Sequence, residues 1–227
     1  MSVSENLHRI QDQIEKACQK AGRSAGDVLL IGVSKTKSVE LIREAYEAGL
    51  RDFGENYVQE WEKKAKSVSD LTDLSWHFIG ALQRNKAKLI VGQVAYLHTL
   101  DRPELADQLD QRAQTAGVTQ KVLLEVNISG ETTKAGVPQE QAFALAERIL
   151  ALPSLSLEGL MCVPEPTPNE GTARQSFERL RRLRDEIARQ AQKPLPHLSM
   201  GMSSDFEWAI AEGSTMVRIG TALFGER

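Results

Sequence analysis

The sequence predicts a (β/α)8 barrel of the TIM-barrel class with one extra N-terminal helix, and three observations lead there. Short apolar runs alternate with amphipathic segments along the chain, as right-handed βαβ units around a parallel sheet require. Eight such runs fall between Val28 and Ile219, and eight units close into a barrel more readily than they form an open sheet. Several runs are apolar on both faces, which suits strands held between an inner layer of side chains and an outer layer of helices.

The first segment, Glu5 to Lys20, sets Leu7, Ile10, Ile14, Ala17 and Cys18 at helical spacing, and Gly22 stops it. Strands are expected at 28–33, 52–54, 75–79, 94–99, 121–128, 157–163, 197–200 and 216–219. Helices are expected at 39–48, 57–66, 83–91, 103–116, 139–152, within 171–192, and at 205–211. Gly49 and Gly117 end two of them, and Pro103 opens a third, where its missing N–H is no loss. A doubly wound sheet is the alternative, but no G-x-G-x-x-G turn follows the first strand. No linker, low-complexity tract or shift in composition divides residues 1–227, so one domain is expected.

Composition narrows the function classes. Net charge is −3, and the densest basic run, Arg179 to Arg184, is interleaved with leucines beside Glu178, Asp185 and Glu186. That pattern is a solvated helix face, so nucleic acid is not an expected partner. Cys18 and Cys162 stand in unrelated contexts without metal or disulfide spacing, which suits a reducing compartment. The N-terminus lacks the continuous apolar region of a signal peptide. No apolar stretch approaches the roughly 20 residues of a membrane helix. A cytoplasmic protein with no membrane contact is expected.

In such barrels the reacting groups stand at the C-terminal ends of the strands. Here those ends carry Ser34-Lys35-Thr36-Lys37, Gly54-Glu55-Asn56, His77 with Gly80, Asn127, Gly201-Met202-Ser203-Ser204, and Arg218 with Gly220-Thr221. A lysine leaving an apolar strand enters the barrel mouth, where desolvation favours the neutral amine that attacks a carbonyl. A lysine snorkelling to solvent would occupy the same position. The loops after strands seven and eight, which build phosphate sites in these barrels, hold Ser203, Ser204, Gly220 and Thr221. Ordinary turns use the same residue types. Taken with Lys35 across the mouth, they describe a ligand with a phosphate at one end and a carbonyl at the other.

Arg218 lies two residues before Gly220, so both face the barrel interior. A buried arginine needs an acceptor, either on a ligand or in an ion pair with Glu55 or Glu125. Pyridoxal 5′-phosphate (PLP) meets these demands if Lys35 holds it as a Schiff base and Arg218 faces its ring nitrogen. An arginine there stays protonated, which leaves the ring nitrogen unprotonated and weakens the ring as an electron sink.

A longer series of motifs carries a resemblance. It runs through Val33-Ser34-Lys35-Thr36-Lys37, Phe53-Gly54-Glu55-Asn56-Tyr57-Val58-Gln59-Glu60, and Trp76-His77-Phe78-Ile79-Gly80 with Gln83, Asn85 and Lys86. Asn127-Ile128-Ser129, Lys134 with Gly136, Gly159-Leu160-Met161, Leu198-Ser199-Met200-Gly201-Met202-Ser203, and Gly213 to Thr221 complete it. In these the chain is similar to the pyridoxal phosphate homeostasis (PLP-binding) proteins of the alanine-racemase-like barrel class. The resemblance implies Lys35 as the Schiff-base lysine, Ser203, Gly220 and Thr221 near the phosphate, and Arg218 at the pyridine nitrogen. It also implies Asn56, His77 and Met202 along the pocket wall. Ala81 departs from the family pattern, in which proline or histidine more usually follows the glycine, and puts the rigidity of that loop in question.

Racemases and decarboxylases of this barrel class resemble one another in having a second, β-rich domain that completes the active site across a dimer. The sequence stops at Arg227, so no such domain is expected to supply an opposing acid or base, and the pocket is expected to be open to water. The expected function is PLP carriage and homeostasis, with an influence on amino-acid and keto-acid balance and no turnover. A PLP-dependent amino-acid racemase-like enzyme is one alternative. A PLP-sensing module that docks onto another protein through the N-terminal helix is the other. PLP-dependent apoenzymes are the expected recipients and a monomer the expected state. Whether Lys37, Lys86 or Lys134 offers a second aldehyde site is open at this level.

Overall fold

Eight parallel strands close on themselves in the computed structural model, which describes residues 2–131 and 134–226. In chain order the strands are β1 (Leu29–Val33), β2 (Asp52–Glu55), β3 (Ser75–Phe78), β4 (Tyr96–Leu100) and β5 (Gln120–Asn127). Then follow β6 (Val137–Pro138), β7 (Leu155–Met161), β8 (His197–Ser199) and β9 (Met216–Ile219). Each barrel strand pairs with the next, β5 with both β4 and β7, and β9 returns to β1. The two-residue β6 extends β5 alone and stands outside the ring. Barrel closure removes every exposed strand edge, which is why eight short strands of three to eight residues suffice.

The helices are α1 (Val3–Lys20), α2 (Val39–Glu47), α3 (Val58–Ser67), α4 (Ala87–Ile90) and α5 (Pro103–Ala116). They continue with α6 (Ala142–Leu150), α7 (Glu170–Ala191), α8 (Phe206–Ala211) and α9 (Thr221–Phe224). Two expected helices start differently. The segment at 83–91 opens as a 3-10 turn, Arg84–Lys86, and that at 139–152 as another, Gln139–Gln141. Neither Gln83 nor Pro138 places a side-chain cap on the first turn, so the tighter 3-10 turn absorbs the free donors there.

The extra helix α1 has a structural task. Among the described residues β9 is followed by the four-residue α9, which is too short to cover the seam beside β1. The α1 face formed by Leu7, Ile10, Ile14 and Ala17 is buried, and the helix packs against α2, α8 and α9. Its Asn6 Nδ2 donates to the Leu223 carbonyl at 3.0 Å, tying the two ends of the chain together. A capping box of Ser2 and Glu5 starts it cleanly. On α7 the basic run is taken up in ion pairs: Arg182 with Glu178 at 2.7 Å, Arg184 with Asp185 at 2.6 Å, and Arg181 with Glu212 at 3.6 Å. Among the described residues no helix is long and apolar enough to cross a membrane.

Side chains fill the barrel in layers, as the period-two alternation of strands dictates. Ile31, Leu123, Met161 and Met216 form an apolar layer. Around it, buried within the same barrel, lie His77, His98, Ser199 and Arg218.

Candidate functional site

The turn that carries Lys35 is held from beneath by a buried ion cluster. Lys64 on α3 is buried and spends all three ammonium hydrogens: on the Ser34 carbonyl at 2.6 Å, on Glu55 Oε1 at 2.7 Å and on Glu60 Oε1 at 2.7 Å. Ser34 Oγ donates to the same Glu55 oxygen at 2.7 Å, and Glu60 Oε1 accepts the Thr36 N–H at 2.5 Å. Ser34 and Thr36 are thereby fixed on either side of Lys35. Thr36 needs this, since its φ of +63° puts a β-branched residue in the left-handed region, at a cost of roughly 1–3 kcal/mol. Burial raises the Glu55 carboxyl from its ordinary range against the opposing pull of Lys64 and Ser34.

Two glycines shape the rest of the mouth. A Cβ on Gly80 would lie 2.1 Å from the Asn56 carbonyl oxygen, so the ends of β2 and β3 approach more closely than any side chain allows. Gly201 has φ +96°, and a Cβ there would meet Phe206 Cα at 2.9 Å, so only glycine lets the loop after β8 turn onto α8. Asp205 Oδ1 accepts the Met202 N–H at 2.6 Å and holds that loop.

These elements enclose a cavity of about 350 Å³ at the C-terminal ends of the strands, within the size range of small-ligand sites. Seven of the eight sequence-predicted residues line it: Lys35, Asn56, Met202, Ser203, Arg218, Gly220 and Thr221, with Ser204 beside them. Val33, Ile79 and Val163 supply apolar walls that no polar motif marks in the sequence. Period two does mark Val33, two residues before Lys35. The exception is His77. It is fully buried lower in the barrel, with Nε2 on Asp52 Oδ1 at 3.0 Å and Nδ1 on His98 Nε2 at 2.9 Å, and it does not reach the cavity. Strand β3 points His77 inward, but its position three residues before Gly80 places it a layer too deep.

Arg218 is 4% exposed and pairs with neither Glu55 nor Glu125. Its Nη1 donates to Ser199 Oγ at 2.6 Å and its Nη2 to the Cys162 carbonyl at 2.9 Å. Asn127 builds its own turn, accepting from Ser129 Oγ and Gly130 N. Lys37 is committed to the Gly225 and Glu226 carbonyls at 2.8 Å each. A wider groove of about 600 Å³ lies outside the barrel under Trp61 and Trp76, and none of the predicted residues reaches it.

The donor set of the mouth fits a cofactor with an aldehyde, a phosphate and a ring acceptor. An amine, the hydroxyls of Ser203, Ser204 and Thr221, and a guanidinium with no carboxylate partner among the described residues line the same cavity. Asn56 Oδ1 adds a buried acceptor without a partner among the described residues.

Glu125 also faces this interior and is buried. Burial first, and Asp101 second, raise its carboxyl from 4.5 to about 7, against the pull of Arg218 and Arg102. The folded state thus binds this proton more tightly than the unfolded chain. The resulting stability is complete below pH 4.5 and disappears as pH rises through about 7. Glu125→Gln is expected to match the parent near pH 4 and to exceed it by about 3 kcal/mol at pH 8. Urea unfolding at the two pH values checks this, and an equal difference at both would refute it.

Fold and site together define a (β/α)8 barrel with one amine, one guanidinium and several hydroxyls around a cavity at the C-terminal ends of its strands. The alanine racemase N-terminal domain family matches residues 6–227. A pyridoxal phosphate homeostasis protein of Aquifex aeolicus is 51% identical over 227 residues, covering 100% of this chain and 99% of its own. One from Vibrio cholerae serotype O1 is 45% identical over 229 residues, covering 100% and 97%. Among solved structures, PipY of Synechococcus elongatus PCC7942 with PLP bound superposes with a TM-score of 0.88 at 36% identity, covering 99% of this chain and 100% of that one. The chain belongs to the pyridoxal phosphate homeostasis protein family and carries the alanine racemase N-terminal domain.

Proposed function

We propose that the chain holds PLP at the barrel mouth, with Lys35 as its covalent anchor, and serves PLP homeostasis without turning substrate over. One observation carries this reading: Lys35, Arg218 and the hydroxyls of Ser203 and Thr221 converge on a single cavity of about 350 Å³. When bound, the cofactor supplies an aldehyde that condenses with a primary amine and a phosphate that accepts hydrogen bonds. The clamp of Lys64 and Glu60 holds the Lys35 turn in place before any ligand arrives. Ser203, Thr221 and the backbone at Gly220 bind the phosphate, the small residues letting N–H groups approach. Arg218 donates toward the ring nitrogen and, staying protonated, gives it no proton. Among the described residues that line the cavity, the ionisable ones are Lys35 and Arg218. That supports holding over proton transfer, which needs a second acid or base in reach.

The test is an absorbance titration of the purified protein with PLP, then borohydride reduction and peptide mass mapping. The expected result is a visible band bleached by borohydride, with the adduct on Lys35. A protein that stays colourless, or an adduct elsewhere, would refute the assignment. Incubation with a panel of amino acids in deuterium oxide separates carrier from enzyme: α-proton exchange that needs Lys35 would make it racemase-like. PLP-dependent apoenzymes as recipients and a monomeric state belong to the same reading. The exposed large apolar side chains among the described residues, Tyr57, Val118 and Val163, are too few for an obligate dimer face. Light scattering that gave a dimer mass would correct that part.

A further inference from the structure

We propose that Asp52, at the start of β2, is the remote counter-ion of Arg218. The two are joined through the barrel by a one-way chain of buried hydrogen bonds through His77, His98 and Ser199, and this chain orients the guanidinium in the pocket. The proposal rests on the reading that Arg218 faces the bound cofactor.

The links are continuous. Arg218 Nη1 meets Ser199 Oγ at 2.6 Å, and Ser199 Oγ meets His98 Nδ1 at 2.9 Å. His98 Nε2 meets His77 Nδ1 at 2.9 Å, and His77 Nε2 meets Asp52 Oδ1 at 3.0 Å. His98 and Ser199 are wholly buried and His77 nearly so, while the Asp52 side chain keeps 20% exposure at the far end. His77 stacks on Tyr96 with ring centroids 5.5 Å apart at 11°, and the Tyr96 hydroxyl meets His197 Nε2 at 3.1 Å, so the imidazole plane is set from the side as well.

Hydrogen counting then gives the direction. A guanidinium only donates and an ionised carboxylate only accepts. Ser199 Oγ takes the Arg218 hydrogen and has one of its own to give, to His98 Nδ1. His98 must then carry its proton on Nε2, which points at His77 Nδ1. His77 must carry its proton on Nε2, which points at Asp52. Ser199, His98 and His77 each use one donor and one acceptor along the chain, with Arg218 donating at one end and Asp52 accepting at the other. Burial, with His77 and Arg218 nearby, holds His98 well below the usual imidazole range, which keeps this ring neutral as the count requires. Bonds aligned head to tail in a dry interior polarise one another. The negative end at Asp52 thereby reaches, through hydrogen bonds, a positive group that Glu125 and Asp205 attract without forming an ion pair among the described residues. Ser199, His98, His77 and Asp52 are positioning residues, since none of them lines the cavity.

The experiment has two arms. In cofactor-free protein, nitrogen-15 NMR of the histidine rings at neutral pH is expected to show His77 and His98 neutral and protonated on Nε2. A His98 protonated on Nδ1, or a doubly protonated His77, would reverse the chain and overturn the proposal. In the second arm, PLP affinity and the visible band of bound PLP are followed in variants. Asp52→Asn keeps an acceptor and removes the charge; it is expected to weaken PLP roughly three- to ten-fold and to shift the band, although it lies at the opposite end of the barrel. Ser199→Ala and His98→Leu are expected to weaken binding about ten-fold or more. His98→Gln, with one acceptor and one donor, is expected to recover part of that loss. If Arg218→Gln alters the band while Asp52→Asn and Ser199→Ala do not, the chain does not act on Arg218 and the proposal falls, with the cofactor reading intact. If Arg218→Gln itself changes nothing while the Lys35 adduct still forms, the placement of Arg218 falls and takes the proposal with it. Asp52→Asn is isosteric and part-exposed, so it keeps the test open should a core variant fail to fold.

Discussion

Lys35→Ala is expected to yield no borohydride-stable PLP adduct and to bind PLP on the order of a hundred-fold more weakly. Among the described residues that line the cavity, Lys35 is the one that carries an amine. Lys37 is held by two carbonyls at the C-terminal end of the chain, and Lys64 has used all of its hydrogens beneath the turn. Binding should weaken and not vanish, because the hydroxyls of Ser203 and Thr221 and the Arg218 guanidinium are untouched by the change. A hydrogen bond to a charged group contributes about 1.5–3 kcal/mol. Equilibrium dialysis and the mass of the reduced protein measure both effects. An adduct of undiminished yield in the variant would sink the anchor assignment.

The second large effect is on stability and comes from a residue outside the cavity. Lys64→Met leaves the Glu55 carboxylate buried without its cation, with Glu55 Oε2 already lacking a partner among the described residues. Removing one partner of a buried ion pair costs about 3–5 kcal/mol, because the remaining charge keeps its desolvation penalty. For a chain of this length that lowers the thermal midpoint on the order of 10 °C. The double variant Lys64→Met/Glu55→Gln should recover much of the loss, since no fully buried charge is then stranded and Glu60 is part-exposed. The Lys35 turn should slacken in the single variant, so PLP affinity falls with it even well below the midpoint. A calorimetric midpoint equal to that of the parent would show that the cluster does not stabilise the fold.

The strand count, the barrel and the residues at the strand ends were legible because they depend on local periodicity. Lys35, Ser203, Arg218, Gly220 and Thr221 follow from where apolar runs stop and from alternation along a strand, and the structure brings them around one cavity. Asn56 and Met202 stand at strand ends, but their place along the pocket wall follows only from the family resemblance, since an asparagine and a methionine after a strand carry no chemical signal of their own. The Lys64–Glu60 spacing on α3 is readable as a four-residue helix pair. That its third partner is Glu55, and that the cluster lies under Lys35, is not readable.

The sequence alone thus determined which residues face inward and at which end of the barrel chemistry collects, because side-chain alternation and apolar runs are properties of neighbours along the chain. Only the tertiary structure decided depth and partnership. His77 lies below the mouth instead of in it, Arg218 finds Ser199 and a carbonyl instead of a carboxylate, and α1 packs beside the short α9. The reason is the stagger between strands. Register sets which residues from distant strands share a layer, as where Ser199 pairs with Met216 and His77 with Tyr96, and it is settled only when the sheet closes on itself.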